Sequence, residues 1–276
     1  MSKLKLGPIG VALTVSADDS HLKDAAELEA LGYGTLWLPG GQIDSLDRIS
    51  KLVEATTAVP VGSGIISFSV YRPAEVARLY AQLEASAPGR FIAGLGAPQQ
   101  PRQLQALNEC LDELDQSEPP VPAHRRILAA LGPRKLALAR DRFAGAIPLL
   151  VTPAYTREAR RILGEDSTLI VSQMAVLGTD AGRAREAARG HLRFLSGVRG
   201  YPANFARMGF SDTDISQLSD HLVDELVTWG DAGTIGARVS EHRQAGADQV
   251  ALTLLDTGAP PSPMDAARLL ARDLLR

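Results

Sequence analysis

The sequence predicts an α/β fold of the (β/α)8 TIM-barrel class, and three observations support this prediction. Short apolar runs alternate with helical patterns almost to the C-terminus, which is typical of repeated βα units around a parallel sheet. Eight such runs are present, and each is followed by a helical pattern. The length of 276 residues is common for a single barrel domain. We therefore expect residues 1–276 to form one domain.

The element boundaries have local support in the sequence. The predicted strands are Ile9–Val15, Thr35–Leu38, Val61–Phe68, Phe91–Leu95, Ile127–Leu131, Ile147–Val151, Gln173–Leu177 and Gln249–Leu255. A hydroxyl residue followed by proline predicts helix starts at Thr152 and Ser262, and the last helix is expected over Pro263–Leu275. Glycine predicts helix ends at Gly32 and Gly164.

Two intervals between these elements are too long for simple connections. They are Ala97–Ala123 after strand four and Ser196–Asp231 after strand seven. Both leave from the end of the barrel where the strands finish, and insertions at that end usually shape the active site. We therefore predict that these two insertions cover the mouth of the barrel.

The unit from Pro60 to Gly96 reads as strand, loop, helix, turn and strand. Its first strand is broken by Gly62 and Gly64, and a glycine inside a strand marks a bulge or the close approach of another group. The following helix is expected to begin at Pro73, where the missing N–H costs least.

Composition excludes several classes of function. The formal net charge is −3, and lysine and arginine are spread along the helices, so a nucleic-acid partner is not expected. Cys110 is the only cysteine, which rules out a disulfide within this chain and a cysteine-rich metal site. No apolar stretch approaches the ~20 residues of a membrane helix, and the N-terminus lacks a signal-peptide cleavage pattern. We expect a cytoplasmic protein with no metal site and no membrane partner.

The pattern resembles the bacterial luciferase-like flavin monooxygenase superfamily, and within it an actinobacterial group described as probable coenzyme F420-dependent oxidoreductases. The matching segments are Leu28–Gly40, Val61–Ile65, Pro88–Gly96, Arg126–Ala139, Ala184–Leu192, Met208–Ile215, Ser219–Asp231 and Ala245–Leu255. The resemblance implies a luciferase-like TIM barrel that holds a flavin or deazaflavin at its C-terminal mouth, often as a homodimer.

The resemblance also implies where the cofactor ring lies. In similar proteins the third strand bulges at a non-proline cis peptide whose backbone supports the ring, and the matching bond is Gly64-Ile65, with Ser67 close by. The alternative is an ordinary trans bulge in which Gly64 serves packing. Gly94 and Gly96 at the end of strand four either let the ring or ribityl chain approach the backbone or serve tight strand packing.

A phosphate site is expected before the fifth helix. Ala130, Leu131 and Gly132 precede Pro133, and free N–H groups at a helix start can bind a phosphate of the cofactor tail. The alternative is that glycine before proline only marks the start of a helix, because barrel phosphate sites more often follow strands seven and eight.

Polar side chains are expected around the mouth after strands two, three and four. They are Gln42, Asp44, Ser67, Ser69, Tyr71, Arg72, Gln99 and Gln100. Asp44 has a competing role as the N-cap of a helix over Ser45–Thr56. Arg72 is either a partner of an anionic tail or a surface residue.

The chain departs from the family pattern where catalysis is expected. Many deazaflavin-dependent relatives have an acidic residue, often followed by histidine, at the end of strand two, but this chain has Pro39–Gln42 there. A Ser-His pair after strand four is replaced by Ala97–Gln100, and glutamine is not a general acid near neutral pH. Of the histidines, only His21 is expected near the mouth. The catalytic residues are therefore not identified.

The predicted function is a flavin- or deazaflavin-dependent oxidoreductase that transfers hydride on a small organic substrate, with coenzyme F420 as the cofactor and FMN as the alternative. An FMN-dependent luciferase-like monooxygenase and a non-catalytic flavin-binding barrel remain open. A barrel hydrolase or aldolase is disfavoured, because no strand end offers a clustered Asp/Glu/His set or an isolated lysine in an apolar pocket.

Overall fold

Ten strands and twelve α-helices alternate along the described part of the chain. The structure is a computed structural model and describes residues 3–198 and 200–275. The strands are β1 (Ile9–Ala12), β2 (Leu36–Pro39), β3 (Val61–Gly64), β4 (Ile66–Ser67), β5 (Phe91–Gly96), β6 (Arg126–Leu128), β7 (Gly145–Ala146), β8 (Thr168–Leu177), β9 (Val227–Gly230) and β10 (Gln249–Leu254). The helices are α1 (His21–Ala30), α2 (Asp47–Glu54), α3 (Pro73–Ser86), α4 (Gln103–Gln116), α5 (Pro133–Arg142), α6 (Pro153–Leu163), α7 (Ala181–Ser196), α8 (Tyr201–Arg207), α9 (Asp212–Gln217), α10 (Asp220–Leu226), α11 (Ala232–Gln244) and α12 (Pro263–Leu274). None of these helices combines the length and the apolar character needed to cross a membrane.

The parallel sheet closes on itself. β1 pairs with β2 on one side and with β10 on the other, and β10 pairs in turn with β8. Between β2 and β8 the neighbours follow the order of the chain. The ring has eight positions, because β3 and β4 share the third and β9 pairs only with the last residues of β8. The prediction of a (β/α)8 barrel is confirmed.

The third strand contains a bulge. Gly62 pairs with Ile92 and Ile66 pairs with Leu95, so the third strand advances by four residues while β5 advances by three. The extra residue interrupts the ladder at Ile65 and separates β3 from β4. The glycine pattern in this strand therefore predicted its irregularity correctly.

The barrel interior is filled by apolar side chains. They are Trp37, Ile92, Ile127, Ala144, Ile147, Ile170 and Ala251. The buried indole N–H of Trp37 donates to Oε1 of Gln249 at 3.0 Å, and Nε2 of Gln249 donates to the carbonyl oxygen of Gly7 at 2.8 Å. The polar groups at this depth therefore have partners, as burial requires.

The predicted helix boundaries are largely confirmed. Thr152 and Ser262 cap α6 and α12 by accepting hydrogen bonds from the backbone N–H groups of Tyr155 and Asp265. Pro73 occupies the first turn of α3, as expected. Gly164 follows α6 with φ +75°, a value that favours glycine.

Several strand predictions differ from the structure. β1 ends at Ala12 rather than Val15, and β8 begins at Thr168 rather than Gln173. β6 ends at Leu128, and the sixth position consists of Gly145–Ala146 with an isolated bridge from Leu149 to Ser172, because Pro148 has no N–H to continue the ladder. β9 lies inside the insertion that was expected to contain no strand. It follows α10 without a break, so its residues read as the end of that helical pattern.

Candidate active site

A large cavity opens at the carboxyl ends of the barrel strands. Its volume is about 1460 Å³, which exceeds the range of about 300–1,000 Å³ typical of small-molecule sites. Residues in the strands or directly after them form its floor, among them Ala12, Trp37, Ile147, Ser172, Met174 and Thr253. Its sides come from α4, α5, α7 and α8 and from the loops before them. Both predicted insertions therefore contribute to the site.

Seven of the eight residues predicted to bind the cofactor line this cavity. They are Gly64, Ile65, Ser67, Gly96, Ala130, Leu131 and Gly132. Gly94 does not line it. A Cβ atom at residue 94 would collide with the carbonyl group of Ser63, whose carbon lies 2.9 Å from that position. Gly94 therefore fits the packing alternative, and its prediction as a cofactor contact is not supported.

The bulge in the third strand forms one wall of the cavity. The Gly64-Ile65 peptide bond is cis, as the family resemblance predicted. Gly40 lies against the backbone of Ile65, and the side chain of Ile65 lies over Gly96, where a Cβ atom would come within 3.1 Å of Cγ1. Two neighbouring strands thus need glycine to accommodate Ile65.

The loop before α5 leaves backbone donors free. Tyr155 Oη donates to the carbonyl oxygen of Leu131 at 2.7 Å. The N–H groups of Ala130, Leu131 and Gly132 donate to no acceptor within residues 3–198 and 200–275. Gly132 is the N-cap of α5 and Pro133 its first residue. This arrangement fits the predicted anion site, since unpaired N–H groups at a helix start bind anions.

Four basic side chains line the same cavity as this loop. They are Arg102, Arg134, Lys135 and Arg207, which we call the basic cluster. A Cβ atom at Gly132 would lie 3.3 Å from Nη1 of Arg207. No carboxylate of the described residues lies within 4.0 Å of any member of the cluster. Burial lowers the pKa of the Lys135 ammonium group, because desolvation disfavours its charged form.

The basic cluster was not predicted from the sequence. Its members come from the insertion after strand four, from the start of α5 and from the end of α8, so no local run of charge marks it. The signal that was available is the position of Arg134 and Lys135 directly after the predicted phosphate loop.

The ends of β2 and β5, at the second and fourth positions of the barrel, lack a general acid. Gln42 lines the cavity, and its Oε1 accepts a hydrogen bond from the backbone N–H of Val15 at 2.6 Å. Gln99 also lines the cavity, and its backbone N–H donates to Oγ of Ser69 at 2.7 Å. These groups can position a ligand by hydrogen bonding but cannot exchange a proton near neutral pH.

Other polar residues predicted at the mouth have structural roles. Asp44 does not cap α2, because that helix begins at Asp47 with Leu46 at the N-cap, and it pairs instead with Arg48 at 2.8 Å. Arg72 is an exposed residue that pairs with Glu75 at 3.3 Å. Tyr71 Oη donates to the carbonyl oxygen of Ile43 at 3.1 Å. Of the set after strand three, Ser67 faces the cavity.

His21 was expected to be a solvent-facing residue at the start of the first helix, with a role as a catalytic base as the alternative. His21 is buried at the start of α1, where Nδ1 lies 3.0 Å from Oγ of Ser16, and it does not line the cavity. Burial lowers its pKa. His191 on α7, which was assigned to an ordinary helical pattern, does line the cavity. His191 lies on the same side of α7 as Phe194, and Val198 follows just after the helix. This second apolar face was the sequence signal that could have placed His191 at the cavity.

The first half of the barrel matches a known family. Residues 13–117 fit the model of the luciferase-like monooxygenases. This part of the barrel is luciferase-like. No curated protein matches the chain. The predicted luciferase-like recognition is confirmed, whereas the actinobacterial subgroup, the homodimer and the cytoplasmic location stay predictions.

The barrel is similar along its whole length to several solved structures. An F420-dependent secondary alcohol dehydrogenase, solved with an F420-acetone adduct, has a TM-score of 0.74 and 16% identity, over 99% of this chain and 100% of the other. The coenzyme F420-dependent tetrahydromethanopterin reductase of Methanopyrus kandleri has a TM-score of 0.70 and 16% identity, over 98% and 99%. The FMN-bound oxygenating constituent of 3,6-diketocamphane monooxygenase, from the CAM plasmid of Pseudomonas putida, has a TM-score of 0.66 and 12% identity, over 97% and 98%. At these identities the similarity establishes the fold.

Proposed function

We propose that this protein is an oxidoreductase that binds coenzyme F420 in the cavity at the barrel mouth and transfers hydride to or from a small organic substrate. FMN is the alternative cofactor. Barrels of the same fold include enzymes described as F420-dependent and a monooxygenase solved with FMN. The proposal for this chain rests on its own cavity.

The observation that carries the proposal is the basic cluster beside the free N–H groups of the loop before α5. Cations without carboxylate partners and unpaired N–H groups form a site for an anion. The bulge at Gly64 and Ile65 offers a backbone wall in the same cavity. A flat ring with an anionic tail matches this combination. The volume of about 1460 Å³ leaves room for a substrate beside it.

The number of cations favours F420 over FMN. The tail of FMN carries one phosphate, whereas the tail of F420 carries a phosphodiester and glutamate carboxylates. Arg102, Arg134, Lys135 and Arg207 supply four positive charges to the cavity. Glu186, the one carboxylate that lines the cavity among the described residues, pairs with Arg193 at 3.2 Å. The F420 tail is longer and carries more negative groups than the FMN tail, so it can pair with more members of the basic cluster. When bound, the deazaflavin ring would supply hydride at carbon, whereas reduced FMN would also react with oxygen.

A non-catalytic flavin-binding barrel is the second candidate. It is favoured by the absence of Asp, Glu and His side chains directly after β2 and β5 in the described residues. Gly40, Gly41 and Gln99 are found there. Such a protein would bind the same cofactor without turning over any substrate.

Fluorescence titration of the purified full-length chain with F420 and with FMN tests the proposal. We expect saturable binding of F420 that is tighter than binding of FMN. Lys135→Gln and Arg207→Gln should each raise the F420 Kd about tenfold, because a charge-assisted hydrogen bond contributes ~1.5–3 kcal/mol. Arg140→Gln is the matched control, because Arg140 lies on the same helix and pairs with Asp141 outside the cavity.

The outcomes separate the candidates. Tighter binding of FMN that depends on the same two residues would move the assignment to a flavin enzyme. Binding of neither cofactor would contradict the proposal. Binding of F420 without oxidation or reduction of any compound in a broad panel would favour the non-catalytic barrel.

A further inference from the structure

Tyr155 on α6 contacts the loop before α5 from outside the cavity. Its Oη donates to the carbonyl oxygen of Leu131 at 2.7 Å and lies 3.4 Å from the carbonyl oxygen of Ala130. The ring packs against the hydrophobic core, and Tyr155 does not line the cavity. Any effect of this residue on a ligand in the cavity must therefore pass through the loop.

The strand ladder stops before this loop. The N–H of Ala129 donates to the carbonyl oxygen of Leu95 at 2.9 Å. Beyond that bond, no backbone N–H of the described chain donates to the carbonyl oxygen of Ala130 or Leu131. The Tyr155 hydroxyl therefore supplies the donor that a neighbouring strand would supply inside the sheet.

A hydrogen bond to a carbonyl group also orients the N–H group of the next residue. In a trans peptide the C=O and N–H groups lie in one plane and point in opposite directions. The Leu131-Gly132 peptide is trans, and its carbonyl is turned towards α6 by Tyr155, so the N–H of Gly132 points away from α6. The longer contact to Ala130 orients the N–H of Leu131 in the same way. Leu131 and Gly132 line the cavity, and neither N–H has an acceptor among the described residues.

The start of α6 holds the tyrosine in place. Tyr155 lies in the first turn, and its backbone N–H donates to Oγ1 of the N-cap residue Thr152 at 3.2 Å. Burial raises the pKa of the Tyr155 phenol above its ordinary value, because desolvation disfavours the charged form. The hydroxyl therefore stays protonated near neutral pH and remains a donor.

Arg207 reaches the same loop from α8. Its Nη1 would lie 3.3 Å from a Cβ atom at Gly132, so glycine leaves room for the guanidinium group. Its Nη2 donates to Oδ1 of Asn204 at 3.1 Å, and Asn204 is fully buried. An anion at the N–H of Gly132 would therefore lie close to a cation that is itself held by a buried side chain.

We propose that Tyr155 is a positioning residue of the anion-binding loop. Its hydroxyl holds the carbonyl group of Leu131 so that the N–H groups of Leu131 and Gly132 stay directed at a phosphate in the cavity. This inference rests on the proposed function, because that function supplies a cofactor with a phosphate group. Tyr155 acts on the phosphate through the loop and has no contact with the rest of the cofactor.

Titration of the purified full-length chain with two matched ligand pairs tests this inference. FMN and riboflavin differ only in the phosphate, and F420 is paired with the deazariboflavin that lacks its tail. Tyr155→Phe removes one hydroxyl group and keeps the ring. We expect the Kd of FMN or F420 to rise about fivefold or more, while the Kd of the phosphate-free partner changes by less than about twofold. A role in stability alone would weaken both members of a pair equally.

Tyr33→Phe is the matched control. Tyr33 Oη donates to the carbonyl oxygen of Ala267 at 2.9 Å, and Tyr33 is buried outside the cavity. This variant loses the same kind of hydrogen bond and should bind every ligand as the wild type does. The inference is overturned if Tyr155→Phe leaves binding of the phosphate-bearing ligands unchanged, if it weakens both members of a pair equally, or if Tyr33→Phe shows the same selective loss.

Inorganic phosphate separates this inference from the proposed function. If the wild type binds neither F420 nor FMN, the proposed function fails, and calorimetric titration with phosphate then tests the loop by itself. Weaker phosphate binding in Tyr155→Phe than in Tyr33→Phe would support the positioning role. Equal phosphate binding in the two variants, or no phosphate binding to the wild type, would overturn it.

Discussion

Gly40 packs directly against the backbone of Ile65. A Cβ atom at residue 40 would lie 2.7 Å from the nitrogen of Ile65 and closer still to its carbonyl oxygen, which real side chains do not tolerate. The end of β2 therefore has no room for a side chain while the bulge keeps this shape. This contact gives a physical reason why residue 40 of this chain is glycine.

Substitution of Gly40 tests this contact. Gly40→Ala should lower the free energy of unfolding by about 1–3 kcal/mol, since overpacking displaces the backbone, and should weaken cofactor binding at the adjacent wall. Gly41→Ala is a matched control, because no atom lies within 4 Å of the added Cβ. Urea unfolding of both variants provides the comparison. Equal losses in the two variants would show that the Gly40 contact has no special role.

Gly64 and Gly62 should respond differently to an added side chain. A Cβ atom at Gly64 meets only ordinary contacts, 3.6 Å from the oxygen of Leu38 and 4.0 Å from the ring of Trp37. Gly64→Val should therefore change stability by less than about 1 kcal/mol while raising the cofactor Kd about tenfold or more, because the larger side chain enters the ligand wall.

Gly62→Ala is the contrasting variant, because its Cβ would lie 2.5 Å from Cε3 of Trp37. It should lose about 1–3 kcal/mol of stability. Thermal unfolding and cofactor titration of both variants distinguish the two effects. An unchanged cofactor Kd in folded Gly64→Val would place the ring elsewhere.

Cofactor affinity should depend on pH through Lys135. Burial lowers the pKa of this lysine in the free protein, and a bound anion raises it by favouring the charged form. Affinity is then constant below the lowered pKa and falls as the pH rises from that value towards the pKa in the complex. F420 titrations from about pH 6 to about pH 10 should show this fall in the wild type. Lys135→Arg should flatten it, because arginine stays protonated, and an identical fall in both proteins would exclude Lys135 as its source.

The buried histidine His242 should make the fold sensitive to acid. Nε2 lies 2.9 Å from Oε1 of Gln173 and Nδ1 lies 2.8 Å from Oγ1 of Thr156, and burial lowers its pKa to about 3. Between pH ~6.5 and ~3 the unfolded chain binds a proton at this residue that the folded chain does not bind, so stability falls as the pH falls, by up to about 1.4 kcal/mol per pH unit.

Urea unfolding between about pH 5 and about pH 7 measures this slope while most carboxylates stay ionised. His242→Gln should be less stable overall, because its neighbours lose hydrogen bonds, but its stability should vary less with pH. His21 is also buried with a lowered pKa and contributes a smaller slope of the same sign in both proteins. Equal slopes would indicate that His242 does not control this dependence.

Much of the barrel could be predicted from the sequence because its strands are buried on both faces. Runs such as Phe91–Leu95 have no polar interruption, and proline or serine marks the helix starts between the strands. β9 was missed because Val227–Gly230 follows α10 directly and continues its apolar pattern. Its pairing with β8 is a tertiary contact that no local pattern encodes.

The candidate site was predictable where function depends on the backbone. Gly64, Ile65 and the Ala130–Gly132 loop line the cavity as expected. The basic cluster was missed because its members come from separate segments, and a charged side chain looks the same in the sequence whether it borders water or a cavity. The choice between the two alternatives for Gly94 could not be made from the sequence, because the register of β3 against β5, which places it over Ser63, is set only when the sheet forms.

A crystal structure of the full chain with F420 tests the central claim, that this cavity holds the cofactor. We predict the ring within about 4 Å of the backbone of Gly64 and Ile65. The tail phosphate should lie within about 3 Å of the N–H groups of Leu131 or Gly132 and of the side chains of Lys135 or Arg207. Cofactor density at the loops after β8 and β10, or a cavity without cofactor at concentrations far above the measured Kd, would contradict the claim.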